Sequence, residues 1–155
     1  MLFRSLPIIV FVISGIISFA TGTAWGTMAI VIPLAVPLAE GFILNSGADP
    51  SLIIVTLGTV MSGAIFGDHC SPISDTTIMS STASGSDHLH HVSTQMPYAI
   101  TVAIVSAICF ILAGFTSINA GVILLIGIAI LIGTIRVLGK SIKEEDLKKD
   151  TVKVN

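Results

Sequence analysis

The chain has 155 residues, 53% of them hydrophobic and 10% charged, with a formal net charge of -2. A soluble domain carries about 25% charged residues, so this composition excludes an ordinary soluble domain and points to an integral membrane protein. Residues 5–135 contain no Lys or Arg, which excludes a surface for nucleic acid.

Five apolar segments follow one another along the chain. The first two are Leu6–Ala20 and Met28–Ala39. A helix crossing the hydrocarbon core needs about 20 residues, and both segments fall short of that. Joined by ATGTAWGT, they are expected to form a re-entrant hairpin over residues 6–39 with its tip at membrane depth. Thr21, Thr23 and Thr27 lie at that tip, where Gly22 and Gly26 permit a tight turn. Trp25, the only tryptophan, is expected to pack near the tip rather than to anchor at an interface. A cleaved signal peptide fits the opening residues less well, because a second apolar run follows almost at once.

The third segment, Leu52–Phe66, runs into GDHCSPISDTT and continues through IMSST. Proline removes a backbone donor and clashes with the preceding turn. One helix over residues 51–83, broken near Ser71–Pro72, is therefore expected. Segments 97–115 and 120–138 read as ordinary transmembrane helices. The expected architecture is an all-α, multi-pass membrane domain over residues 1–139 with a charged tail over 140–155. Arg136 and the tail lysines place that tail in the cytoplasm. The loop ASGSDHLHHVSTQ is then cytoplasmic and EGFILNSGADPS lies outside, with Glu40 and Asp49 solvated. DHLHH has no structural zinc spacing and reads as a solvated loop. Cys70 and Cys109 read as unpaired thiols.

Asp68 and Asp75 carry the chemistry. A carboxylate at membrane depth costs at least about 2.5 kcal/mol, and no basic residue in the neighbouring segments offsets it. Such a group needs a proton, a cation or water. A site that must hold either H⁺ or Na⁺ makes the two compete, which is the basis of antiport when each side is exposed in turn. Hard cations take oxygen ligands, and Ser71, Ser74, Thr76 and Thr77 stand beside the two carboxylates. A broken helix adds freed carbonyls and a negative dipole end. His69 suits a proton relay and a packing role equally. SPISD and DHLHH supply Ser, Asp and His, yet no strand–turn–helix context exists for a nucleophile, so no enzyme activity is expected.

FATGTAWGTMAIVIPLAVPLA followed by SGAIFGDHCSPISDTTIMSSTASGSDHLHHVSTQMPYA closely resembles the NhaC-type sodium/proton antiporter family, over about residues 3 to 138. The resemblance implies the second of two inverted repeats, each with a re-entrant hairpin and a broken helix, as the C-terminal part of a longer transporter. It implies an ion site between the Thr21–Thr27 tip and the Asp68–Thr77 break, with Thr21 and Thr23 facing Ser71, Thr76 and Thr77 and sodium at Asp68 and Asp75. It implies a Na⁺/H⁺ antiporter of the plasma membrane with no cofactor beyond the transported ions. The partners implied are the lipid bilayer, Na⁺ and H⁺, together with the N-terminal part of the transporter or a second copy. Two other readings stand beside it: an organic-anion exchanger of the malate/lactate type, and a membrane fragment that does not transport. The absence of Arg near the site favours the inorganic cation.

Overall fold

The computed structural model describes residues 2–116 and 119–138. All regular structure among these residues is helical: α1 Leu2–Thr21, α2 Ala24–Ser46, α3 Ser51–Cys70, α4 Asp75–Ser84, α5 His88–Phe115 and α6 Ala120–Leu138. Five of them, all but α4, are long and apolar enough to cross a membrane. The chain is an integral, multi-pass, all-α membrane protein. The charged tail over 140–155 lies outside the described residues.

The distribution of polarity is that of a protein in lipid. Buried positions include Ser14, Ser18, Thr27, Thr56, Thr59, Ser71 and Ser74, whereas Leu34, Leu44, Ile54, Leu124 and Val137 are exposed. Helices in lipid gain little from hiding Leu and Ile, so close contact between small residues holds them together. The seam between α1 and α3 shows this. A Cβ at Gly67 would strike the Gly15 carbonyl oxygen and would lie 2.8 Å from the Phe19 nitrogen; one at Gly63 would strike the Phe11 carbonyl oxygen. Only glycine lets the two backbones approach so closely. Ser18 Oγ reinforces the seam by donating to the Ala64 carbonyl oxygen at 2.5 Å. Beside it, Leu6 and Val10 of α1 pack with Val31, Ala35 and Ala39 of α2 and with Leu52 and Val60 of α3.

Two expectations change here. The hairpin segments extend into helices of 20 and 23 residues, so shortness no longer argues for re-entry. Thr21 continues α1 and Thr27 lies in the first turn of α2, because their hydroxyls bond the Ile17 and Thr23 carbonyl oxygens instead of breaking the helix. The fourth segment also begins earlier, at His88 instead of Pro97. Asp87 caps it by accepting a hydrogen bond from the His90 amide at 2.8 Å, so DHLHH forms a helix start and not a loop.

The ends of the helices are aligned by specific contacts. Arg4 Nη1 of α1 donates to the Phe115 carbonyl oxygen of α5 at 3.4 Å. At the other end, Gln95 of α5 meets His69 of α3. The stretch of α5 before Gln95 is about 10 Å long at 1.5 Å per residue, and α4 packs alongside α5.

Candidate functional site

The break is built by the sequence around Pro72. Ser71 leaves the helix at φ -78°, ψ 126°, the extended conformation favoured before proline. Helix resumes at Asp75 after Ser74, itself extended. The turn between them is held by the Ser71 amide on the Asp68 carbonyl oxygen at 3.1 Å and the Ser74 amide on the Ser71 carbonyl oxygen at 3.3 Å.

Asp68 sits on the last turn of α3 and is only 5% exposed. Ser74 Oγ donates to Asp68 Oδ1 and Thr76 Oγ1 donates to Asp68 Oδ2, each at 2.8 Å, while Ser74 Oγ and Thr76 Oγ1 are also 2.8 Å apart. The break thus folds the start of α4 back onto the end of α3 and closes a ring of oxygens. Thr77, on the same turn of α4, is 2% exposed, and its Oγ1 has no hydrogen-bond partner among the described residues.

The hairpin tip stands against this break. Gly22 turns the chain at φ 68°, and a Cβ there would lie 2.6 Å from the Ile73 carbonyl oxygen. Ser71 Oγ donates to the Phe19 carbonyl oxygen at 2.8 Å and accepts from the Ile73 amide at 3.4 Å. Tip and break therefore touch through backbone. The tip threonines face local partners instead. Thr21 Oγ1 donates to the Ile17 carbonyl oxygen, Thr27 Oγ1 donates to the Thr23 carbonyl oxygen, and Thr23 Oγ1 caps α2 by accepting from the Gly26 amide. Thr21 Oγ1 and Thr27 Oγ1 are 3.4 Å apart. No hydrogen bond among the described residues joins these threonines to the Asp68 ring. Trp25 is 82% exposed, which overturns its expected packing role within the chain: α2 buries Thr27, Val31, Ala35 and Ala39 and leaves Trp25 outside.

Asp75 lies apart from the ring. It opens α4 with an exposed side chain, where the positive end of the helix favours a carboxylate. His69 is exposed, with Nδ1 2.9 Å from Gln95 Nε2. His69 and Gln95 border a cavity of about 460 Å³ between α1, α3 and α5, lined also by Tyr98, Ser62 and Ser106 and by apolar residues such as Phe11 and Phe66. His88 was missed by sequence reasoning as a contributor to the break. Its Nε2 is 2.6 Å from the Pro72 carbonyl oxygen and its Nδ1 is 3.0 Å from Ser81 Oγ. That carbonyl, which lies in the gap between α3 and α4, is taken by an imidazole.

The ring can hold a proton or accommodate a cation without changing partners. With Asp68 ionised, two hydroxyl protons serve three oxygen–oxygen contacts. With Asp68 protonated, three protons serve three contacts, and carboxyl to Ser74 to Thr76 and back to carboxyl forms a closed cycle of donors. A hard cation bound to the ionised form would draw on the same carboxylate and hydroxyl oxygens.

Several known proteins resemble the chain. An uncharacterised protein of Haemophilus influenzae is 49% identical over 111 residues, covering 72% of this chain and 20% of that protein. The malate-2H(+)/Na(+)-lactate antiporter of Bacillus subtilis is 36% identical over 104 residues, covering 67% of this chain and 21% of its own length. An uncharacterised Na(+)/H(+) antiporter of H. influenzae is 34% identical over 102 residues, covering 66% and 20%. The chain thus spans about a fifth of the length of these curated relatives. No solved structure matches it. The family profile described as the Na+/H+ antiporter family matches residues 3–115, a stretch that contains the hairpin turn, the break and all of α5, so the chain belongs to that family.

Proposed function

We propose that the chain forms the ion-binding part of a Na⁺/H⁺ antiporter, a secondary transporter and not an enzyme, in which Asp68 binds Na⁺ and H⁺ in competition. The observation that carries this reading is the buried Asp68 carboxylate hydrogen-bonded by Ser74 and Thr76 with no Lys or Arg in residues 5–135. Na⁺ binds the ionised ring; a proton closes the donor cycle and releases the ion. Thr77 Oγ1, buried and without a hydrogen-bond partner among the described residues, is a further oxygen for the ion. Ser71 holds the break in place. Asp75 is the second carboxylate, exposed at the head of α4, and Thr21 and Thr23 shape the tip beside the site.

The protein acts in the plasma membrane with its charged tail in the cytoplasm. It works together with further transporter segments or a second copy, because relatives in this family are about five times as long as the stretch matched here. No resident cofactor is needed, since Na⁺ and H⁺ are cargo. The test replaces the matching segment of the B. subtilis relative by residues 3–115 and measures Na⁺-driven proton flux in vesicles. Flux that disappears with Asp68→Asn is expected. Undiminished flux in that variant would sink the assignment.

One observation favours a second reading, the exchange of a small organic acid. The cavity of about 460 Å³ beside His69, Gln95 and Tyr98 is within the size range of small-molecule sites. Gln95 Nε2 can only donate, so His69 Nδ1 accepts and Nε2 is left carrying the proton, available to a carboxylate. Labelled malate and lactate uptake by the same chimaera separates the two readings.

A further inference from the structure

His88 belongs to neither carboxylate group, yet it touches the break directly. Its Nε2 is 2.6 Å from the Pro72 carbonyl oxygen, which can only accept, so Nε2 carries a proton. Its Nδ1 is 3.0 Å from Ser81 Oγ, which is also 2.9 Å from the Ile78 carbonyl oxygen. In the neutral ring, Nδ1 accepts from the Ser81 hydroxyl. In the charged ring, Nδ1–H donates to Ser81 Oγ, whose own proton turns to Ile78. Either way the bond to Pro72 is kept.

Asp87 caps the first turn of α5 and so fixes His88 at the start of that helix. Pro72 lies one residue after Ser71, which bonds Phe19, and two before Ser74, which bonds Asp68. We propose that His88 is a positioning residue for the site: its Nε2–H clamps the Pro72 carbonyl and thereby sets where Ser74 and Thr76 meet Asp68. This rests on reading the Asp68 ring as the ion site. The consequence is a mechanical link from the α4–α5 connection to the ring. Motion of the start of α5 reaches the Asp68 ring through this hydrogen bond, beside the packing of α4 on α5.

The experiment exploits bond counting within the side chain. The amide nitrogen of Gln lies as many bonds from Cβ as His Nε2, and that of Asn as many as Nδ1. Gln can therefore replace the Pro72 contact, and Asn only the Ser81 contact. Cys70 is buried beside the break and serves as the reporter. In the full chain with Cys109→Ala, held in lipid nanodiscs, the rate of Cys70 modification by N-ethylmaleimide measures how often the break opens. His88→Ala and His88→Asn are expected to raise the rate about tenfold, the scale of one lost hydrogen bond to a part-buried carbonyl. His88→Gln should stay within about twofold of the background protein.

Equal rates for the Asn and Gln variants overturn the proposal, as does an unchanged rate for His88→Ala. If the Ala variant does not fold, the Asn–Gln comparison decides. Nitrogen-15 spectra of the ring add a second readout: Nε2 is expected to be protonated, and a ring protonated at Nδ1 alone overturns the assignment. ²²Na⁺ binding is measured in parallel. Its absence from the background protein counts against the ion-site reading and leaves the thiol comparison intact.

Discussion

Ser71 Oγ donates to the Phe19 carbonyl oxygen across 2.8 Å, binding the helix break to the last turn of α1. The residue after it is the proline that starts the break, so this hydroxyl sits where the chain is least supported by helical bonds. Ser71→Ala removes both that bond and the acceptor for the Ile73 amide. A loss of about 1–2 kcal/mol is expected in denaturant unfolding in micelles. An unchanged midpoint would show that the tip and break are held by packing alone.

The two aspartates should separate in a binding assay. Asp68 is buried within the ring and Asp75 is exposed at the head of α4. Asp68→Asn is expected to remove ²²Na⁺ binding, whereas Asp75→Asn should weaken it by less than about tenfold, as expected for a partly solvated charge. Scintillation proximity measurements on purified protein give both values. The reverse order would move the principal carboxylate to Asp75.

Glycine at position 22 answers two demands at once. Its φ of 68° disfavours other residues, and a Cβ would lie 2.6 Å from the Ile73 carbonyl oxygen. Gly22→Ala should destabilise by about 2–4 kcal/mol, and trimming Ile73 to Ala should not rescue it, because the obstacle is backbone. Gly58→Ala is the control, since nothing lies within 4 Å of its Cβ position. That change should be neutral or mildly stabilising in thermal unfolding.

Asp49 offers a pH prediction outside the spans. The Ser51 hydroxyl and then the Ser51 amide, which bonds Asp49 Oδ1 at 2.8 Å, hold its carboxyl below the ordinary 3.8. The folded value is depressed, so the contribution is complete above the unfolded value and is lost as pH falls through the lower folded one. Carbon-13 titration should place the Asp49 midpoint beneath 3.8, and Ser51→Ala should move it upward. A midpoint that ignores Ser51→Ala would show that this hydroxyl is not the cause.

Much of this was legible in residue order, and the failures share a cause. Pro72 announced the break and Gly22 the turn between α1 and α2, because both act on the local backbone, whereas Gly26, also expected in that turn, lies within α2. The start of α5 was also written locally, in Gly85 at the end of α4 and Asp87 as a cap, but three histidines made the stretch look like a loop. Thr21 and Thr23 were expected to face Ser71, Thr76 and Thr77 across the ion site. Nearby carbonyls and amides compete for short hydroxyl side chains, and composition does not say which partner wins. His88 and Pro72 are 16 residues apart, and their meeting depends on how α4 folds back against α5. No periodicity encodes that.

The glycines of the α1–α3 seam carry one more implication. At Gly63 and Gly67 the helices meet main chain to main chain, so there are no bulky side chains to swap rotamers and allow sliding. Such a joint has one seating. Hairpin and broken helix must then travel as a single strut, and the slip planes of any transport cycle lie elsewhere. By contrast, α6 leaves most of its apolar side chains exposed and has no such close joint described with α1 or α3.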